Sequence, residues 1–172
     1  MTGLDPEQHV VLEAGVIITG PDLEPRAQLA VLVRPSAADV ARMDEVARAM
    51  HAANGLLERA CSAGVPVAEA ETQVLGFLQS HVERHKGVLA GNSVHADRAF
   101  LRRHMPSVEG WLHYRHIDVS SLKVLTRAWF PAVPFHNKPG REHTTLADLA
   151  LSLEELRHYR RTFFRVAPPD PS

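Results

Sequence analysis

Cysteine is almost absent from this chain: Cys61 stands alone, so no internal disulfide can form, which is compatible with the cytoplasm. No stretch approaches the roughly 18 to 20 consecutive apolar residues that a membrane span needs. The opening MTGLDPEQHV has neither the basic nor the apolar region of a signal peptide. The expectation is a cytoplasmic chain with no membrane partner. Internal repeats and low-complexity tracts are missing. So are the compact catalytic motifs: there is no G-x-x-x-x-G-K-S/T, no G-x-G-x-x-G, no H-E-x-x-H, no C-x-x-C and no G-x-S-x-G.

What is present is an ordinary globular composition, 45% hydrophobic and 23% charged over 172 residues. That length fits one domain able to bury a core without staples, expected over residues 1–166 with a frayed tail at 167–172. The formal net charge of −1 hides an asymmetry. Residues 1–83 hold 5 basic and 12 acidic side chains, whereas residues 84–172 hold 14 and 8. A polarised chain can offer a positive surface to a phosphate backbone, although solvated helix faces explain the same charges. Eleven histidines are many for this length, but the pairs His81/His85 and His113/His116 have no cysteine nearby and do not read as a zinc site.

Val10 to Thr19 and Ala27 to Val33 read as two strands of a hairpin, each stopped by a proline turn. Ser36 opens a helical pattern through Met50. Leu56 to Ala63 is a short helix closed by Gly64, and Val67 to His85 a longer amphipathic one with Val67, Ala70, Val74, Leu75, Phe77, Leu78 and Val82 as its core face. Val88 to Asn92 reads as a buried strand leading into a helix over Val94 to His104. Tyr114 to Val119 reads as a strand running into a helix over Ser121 to Phe130. A loop spans Pro131 to Glu142 before the last helix, Thr145 to Phe164. Strands alternating with helices predict an α/β class.

Two arrangements carry chemistry. Gly91-Asn92-Ser93 ends a strand, and Asp97 lies in the first turn of the helix behind it. Carboxylates in that position mark active sites in α/β sheets, but Asp97 could equally complement the helix dipole. His143 precedes a helix carrying Asp148, and the same residues fit a capping box over Thr145 to Asp148. Taken singly, each is as well explained by local structure.

Together, MTGLDPE, GNSVHADRAFLRRHMP, HYRHIDVSSLK and HTTLADLALSLEELRHYR resemble, in order and spacing, the oligoribonuclease family of DEDDh exonucleases. The resemblance runs to about Phe164. It implies a ribonuclease H-like fold, a mixed β-sheet flanked by helices, and 3′-to-5′ degradation of short RNAs and dinucleotides to 5′-mononucleotides in a homodimer. It also implies two divalent ions, Mg²⁺ or Mn²⁺, held by four carboxylates. By motif match, Asp97 and Asp148 are two of those carboxylates and His143 is the general base. Leu4 matches a leucine wedge against the bases, and His51 lies in an RNA-contacting segment. Ser93, Arg115 and Ser120 match residues capping a 5′-phosphate, and Tyr114 a tyrosine that reaches across the dimer. Val46 stands where many members carry a tryptophan. In the family a strand ending Asp-x-Glu precedes the M-T-G-L-D match, so the expectation is that this strand and its two carboxylates lie outside the sequence as it begins at Met1. The alternative reading is a non-catalytic homodimer that binds short RNA or nucleotides. A DNA exonuclease of the same superfamily fits the HYRHIDVSSLK segment less well.

Overall fold

The computed structural model describes residues 1–132 and 144–164. The expected hairpin is present: β1 (Glu13–Thr19) pairs antiparallel with β2 (Pro25–Leu32), with a register shift at Ile18/Thr19. Just past β2, Val33 bridges Val65 in parallel fashion. There the chain passes so close to a helix end that a Cβ on Gly64 would lie 2.3 Å from the Ala60 carbonyl oxygen, so only glycine fits.

The helical pattern after Ser36 proves to be two helices, α1 (Ala37–Ala41) and α2 (Glu45–Ala53). Asp44 interrupts it by accepting bonds from the Val46 and Ala47 amides, and so acts as a second N-cap. The next helix, α3 (Leu56–Ala63), lies where the pattern put it. α4 (Val67–His81) ends four residues early, where Val82 turns extended at φ −139° and ψ 127°, so His81 and His85 do not share a helix. Of the seven residues expected on its core face, Ala70, Val74 and Leu78 are fully buried, whereas Val67 is exposed.

The second half carries β3 (Leu89–Gly91) and β4 (His116–Asp118), a short parallel pair in register Gly91 to Asp118. Between them lie α5 (Val94–His104), as expected, and α6 (Pro106–Trp111), which sequence reasoning missed. Pro106 ends the apolar pattern of α5, but proline at the first helical position is equally a start. α7 (Val119–Trp129) follows β4 directly, and α8 (Thr145–Thr162) closes the described chain. The expected loop over Pro131 to Glu142 and the tail over 167–172 fall mostly or wholly outside the described residues.

The main core joins β2, α4, α5 and α6 through Val31, Val74, Leu78, Phe100, Met105 and Val108; a smaller one joins Leu12 to Met43, Leu56 and Ala60. α8 packs across β1 and also reaches β3 and α7, so it ties the two halves together. Antiparallel and parallel pairings flanked by helices make an α/β fold, as expected from the sequence.

Candidate active site

Because β3 and β4 are parallel, their carboxyl ends lie side by side, and the helices that follow both start there. Crevices at this end of an α/β sheet bind ligands, and helix amino termini favour anionic ones. Ser93 makes the turn from β3 into α5 with φ 52° and ψ 33°, a left-handed conformation uncommon for a residue with a Cβ. That turn aims its backbone N–H across to the neighbouring strand end. It donates to Asp118 Oδ1 at 3.0 Å and to Ser120 Oγ at 2.9 Å. The two hydroxyls, Ser93 Oγ and Ser120 Oγ, are 3.3 Å apart. Burial alone would raise the Asp118 carboxyl, but the Ser120 N–H, the His95 ring and the Ser93 N–H together hold it below the usual carboxylate range.

Asp97 lies one turn further along α5, half-buried, and burial pushes its carboxyl above its ordinary value. Asp148 is exposed near the start of α8. The capping box expected over Thr145 to Asp148 is not formed. Thr144 is the N-cap and accepts from the Ala147 amide, while the Thr145 hydroxyl donates to Glu13 on β1. The cap therefore begins one residue earlier and leaves the Asp148 carboxylate uncommitted to it. His143 lies outside the described residues.

Leu4 is 86% exposed on the opening loop. That loop is fixed at its base, where Asp44 N donates to the Thr2 carbonyl and the Val10 amide to Thr2 Oγ1. His51 is not at the surface: it is 3% exposed, and its Nε2–H donates to the Met1 carbonyl at 2.8 Å. Burial holds its ring below the ordinary histidine range, so the neutral tautomer with hydrogen on Nε2 ties α2 to the opening loop. Val46 is exposed on α2. Tyr114 is 70% exposed, stacks on His113 and carries the Arg115 guanidinium 5.2 Å from its ring centre.

Three further residues shape this region and were not singled out from sequence. Arg98 and Glu155 are buried, and Asp118 anchors the Ser93 turn. Glu155 accepts from Tyr159 Oη at 2.6 Å, pairs with Lys123 Nζ at 3.1 Å, and accepts from Asn92 Nδ2 at 3.2 Å. Burial, then the bond to Glu155, push the Tyr159 hydroxyl up to about 12, so it stays a donor.

The exonuclease family model, RNase T, matches residues 1–156, and with it the class of protein is set. Oligoribonuclease of Paracidovorax citrulli is 44% identical over 162 residues, covering 94% of this chain and 84% of that protein. Oligoribonuclease of Pseudomonas paraeruginosa is 42% identical over 167 residues, 96% of this chain and 93% of that protein. Oligoribonuclease of Corynebacterium glutamicum is 40% identical over 176 residues, the whole of this chain and 80% of that protein. The chain belongs to the oligoribonuclease family of exonucleases, and the fold described above is that of a ribonuclease H-like exonuclease.

Exonucleases of this family are in general dependent on divalent metal ions. Asp97 and Asp148 offer the hard carboxylate oxygens such ions prefer. Among the described residues, however, no three His, Cys, Asp or Glu side chains are gathered into a metal-binding group. The described donors match the chemistry of the ion but do not by themselves fit a two-ion centre. No helix among the described residues is long and apolar enough to cross a membrane.

Proposed function

We propose that this chain is a cytoplasmic 3′-to-5′ exoribonuclease that hydrolyses short oligoribonucleotides, down to dinucleotides, to 5′-mononucleotides. The observation that carries the proposal is the meeting of Ser93, Asp118 and Ser120 at the carboxyl ends of β3 and β4, one helical turn from Asp97, in a member of the oligoribonuclease family. Ser93, Ser120 and Arg115 are proposed to bind the 5′-phosphate of a dinucleotide. Arg115 brings a fork of donors suited to that group. Leu4 is proposed to meet the bases, and Tyr114 to reach the site of a second copy. His51, in the segment proposed to contact the RNA, is proposed to act by holding the Leu4 loop through its bond to the Met1 carbonyl.

Asp97 and Asp148 are proposed as two of the oxygen donors for Mg²⁺ or Mn²⁺. His143 is proposed as the general base: a histidine near its ordinary pKa of about 6.5 takes a proton from attacking water at neutral pH. As the water oxygen bonds to phosphorus, the bond from phosphorus to the preceding nucleotide's O3′ breaks, and the terminal nucleotide leaves with its 5′-phosphate. The proposed assembly is a homodimer. Val124, Leu125 and Trp129 on α7 and its C-cap Phe130 are all exposed, and exposed apolar side chains grouped on one element support an interaction face there.

The test is dinucleotide hydrolysis with Mg²⁺ or Mn²⁺ supplied. Asp97→Asn and Asp148→Asn should each abolish turnover. His143→Ala should lower the rate by about 10² to 10⁴ while dinucleotide binding persists. Unchanged turnover in either aspartate variant would overturn the assignment. A parent protein that binds dinucleotides without cleaving them is the non-catalytic binder instead.

A further inference from the structure

Leu4 is so exposed that the rest of the protein hardly touches its side chain, and the backbone of residues 3–5 therefore sets its direction. The chain is anchored on either side of that stretch. Before it, the Thr2 N–H donates to the Val10 carbonyl at 2.8 Å and the Val10 N–H to Thr2 Oγ1 at 2.9 Å. After it, the Asp5 carbonyl accepts from the Gln8 and His9 amides, and its carboxylate accepts from the Glu7 N–H and from Gln8 Nε2. His104 Nε2 on α5 then donates to the Pro6 carbonyl at 3.1 Å. Between these anchors the chain is held by the His9 ring. On one flank of Leu4, His9 Nδ1 accepts the Asp5 N–H at 3.1 Å. On the other flank the ring lies where a Gly3 side chain would be: a Cβ there would come within 2.5 Å of His9 Cε1 and Nε2. Among the described residues, no other side chain hydrogen-bonds the Gly3 or Leu4 backbone or the Asp5 N–H.

We propose that His9 is a positioning residue for Leu4: by accepting the Asp5 N–H and lying against Gly3, it locks both flanks of Leu4 and presents that side chain to the bases of a bound dinucleotide. This inference rests on the reading of Leu4 as a base contact. A contact residue fixed before binding spares the ordering cost that a free one pays on binding. His9 acts through the backbone and is itself half-buried behind the loop. The bond needs a lone pair on Nδ1, so the ring hydrogen is on Nε2. Two substitutions separate the bond from the ring. Phenylalanine keeps a ring against Gly3 but has no acceptor. Asparagine loses the ring, but its Oδ1 stands the same number of bonds from Cα as Nδ1 and accepts the Asp5 N–H in its place.

The experiment titrates the full chain with 5′-phosphorylated diadenylate (pApA) in chelator, so that none is consumed, and reads the dissociation constant. Loss of one neutral hydrogen bond is worth about three- to tenfold, and His9→Phe should weaken binding by about that factor. His9→Asn should stay close to the parent. Leu4→Ala should weaken binding at least as much as His9→Phe. In the Leu4→Ala background His9→Phe should add nothing, because no side chain is left to aim. Without ligand, backbone order parameters at Gly3 and Leu4 should fall in His9→Phe and hold in His9→Asn. A long-range proton–nitrogen spectrum of the parent in mildly alkaline buffer should place the His9 ring hydrogen on Nε2. A hydrogen on Nδ1 overturns the inference, even if His9→Phe fails to fold. So does a His9→Asn protein that binds as weakly as His9→Phe, or a His9→Phe effect that persists undiminished without Leu4. A Leu4→Ala protein that binds pApA as the parent does overturns the base-contact reading itself, and the inference with it. Weaker binding in Leu4→Ala with none in His9→Phe overturns the inference alone.

Discussion

Arg98 donates from Nη2 to the carbonyl oxygen of His113 at 2.7 Å and from Nη1 to that of Arg115 at 3.2 Å, so one buried guanidinium brackets Tyr114 from beneath. Its Nε bonds Glu109 Oε1 at 3.0 Å, the same carboxylate oxygen that Arg102 Nε reaches at 3.2 Å. Burial alone would raise the Glu109 carboxyl, and the two arginines hold it low instead. Arg98 follows Asp97 in the chain. A residue on α5 thereby fixes the 113–115 segment, which carries Tyr114 and Arg115.

Removing Arg98 strands two carbonyls and weakens the hold on Glu109. Breaking a buried, hydrogen-bonded charge pair costs about 3–5 kcal/mol. Arg98→Ala should lower the urea midpoint accordingly, and Arg98→Lys should recover only part, because an ammonium cannot span three acceptors as a planar fork does. A midpoint unchanged in Arg98→Ala would show that the bracket contributes nothing.

Asp97 should show a conflict between function and stability. Its carboxyl is raised by burial, so the ionised form is the one the fold disfavours. The stability it contributes is fully present below the unfolded value, near 4, and is lost as pH rises through the higher folded value. Asparagine mimics the protonated form. In metal-free buffer at pH 7, Asp97→Asn should therefore raise Tm by a few degrees, with the gain shrinking as pH falls toward 4. Equal melting at pH 7 would contradict this.

His51 has the opposite sign. Burial lowers its folded value below the unfolded one, near 6.5. The unfolded chain then binds more protons, so stability is present above pH 6.5 and is lost as pH falls toward the folded value. His51→Gln keeps a donor for the Met1 carbonyl but cannot titrate. Its Tm should change less than the parent's between pH 7 and 5, and parallel pH profiles would exclude His51 as the source.

Local signals account for what was legible. α5 matched at both ends because Pro106 stops it and Ser93 precedes it. The break between α1 and α2 was written as Asp44, an N-cap residue, but the apolar periodicity ran straight through it. Asp97 and Asp148 are singled out by motif spacing alone, as proposed ligands. Arg98 and Glu155 carry no such mark: Glu155 sits in LSLEEL beside Glu154, and nothing local tells which glutamate faces inward. Its burial is decided by Lys123 and Asn92, 32 and 63 residues away in the chain. The buried state of His51 likewise comes from Met1, 50 residues distant.

Assembly gives the last prediction. Tyr114 is exposed in this chain, and its neighbour Arg115 covers one side of the ring at 5.2 Å from its centre. If Tyr114 completes the site of a second copy, each active site draws Asp97 from one subunit and Tyr114 from the other, as an isologous dimer permits. Homodimers of Asp97→Asn carry two sites without that carboxylate, and homodimers of Tyr114→Ala two sites without the ring. A mixed dimer contains one site with both defects and one with neither. Co-expressing the two variants should therefore restore activity to about half the parent's per mixed dimer, above the average of the two homodimers. The measurement is dinucleotide turnover on mixed dimers separated by two different affinity tags, with light scattering to establish their mass. Turnover no better than the average of the two variants would show that Tyr114 serves its own subunit. A fully active monomer would remove the shared site altogether.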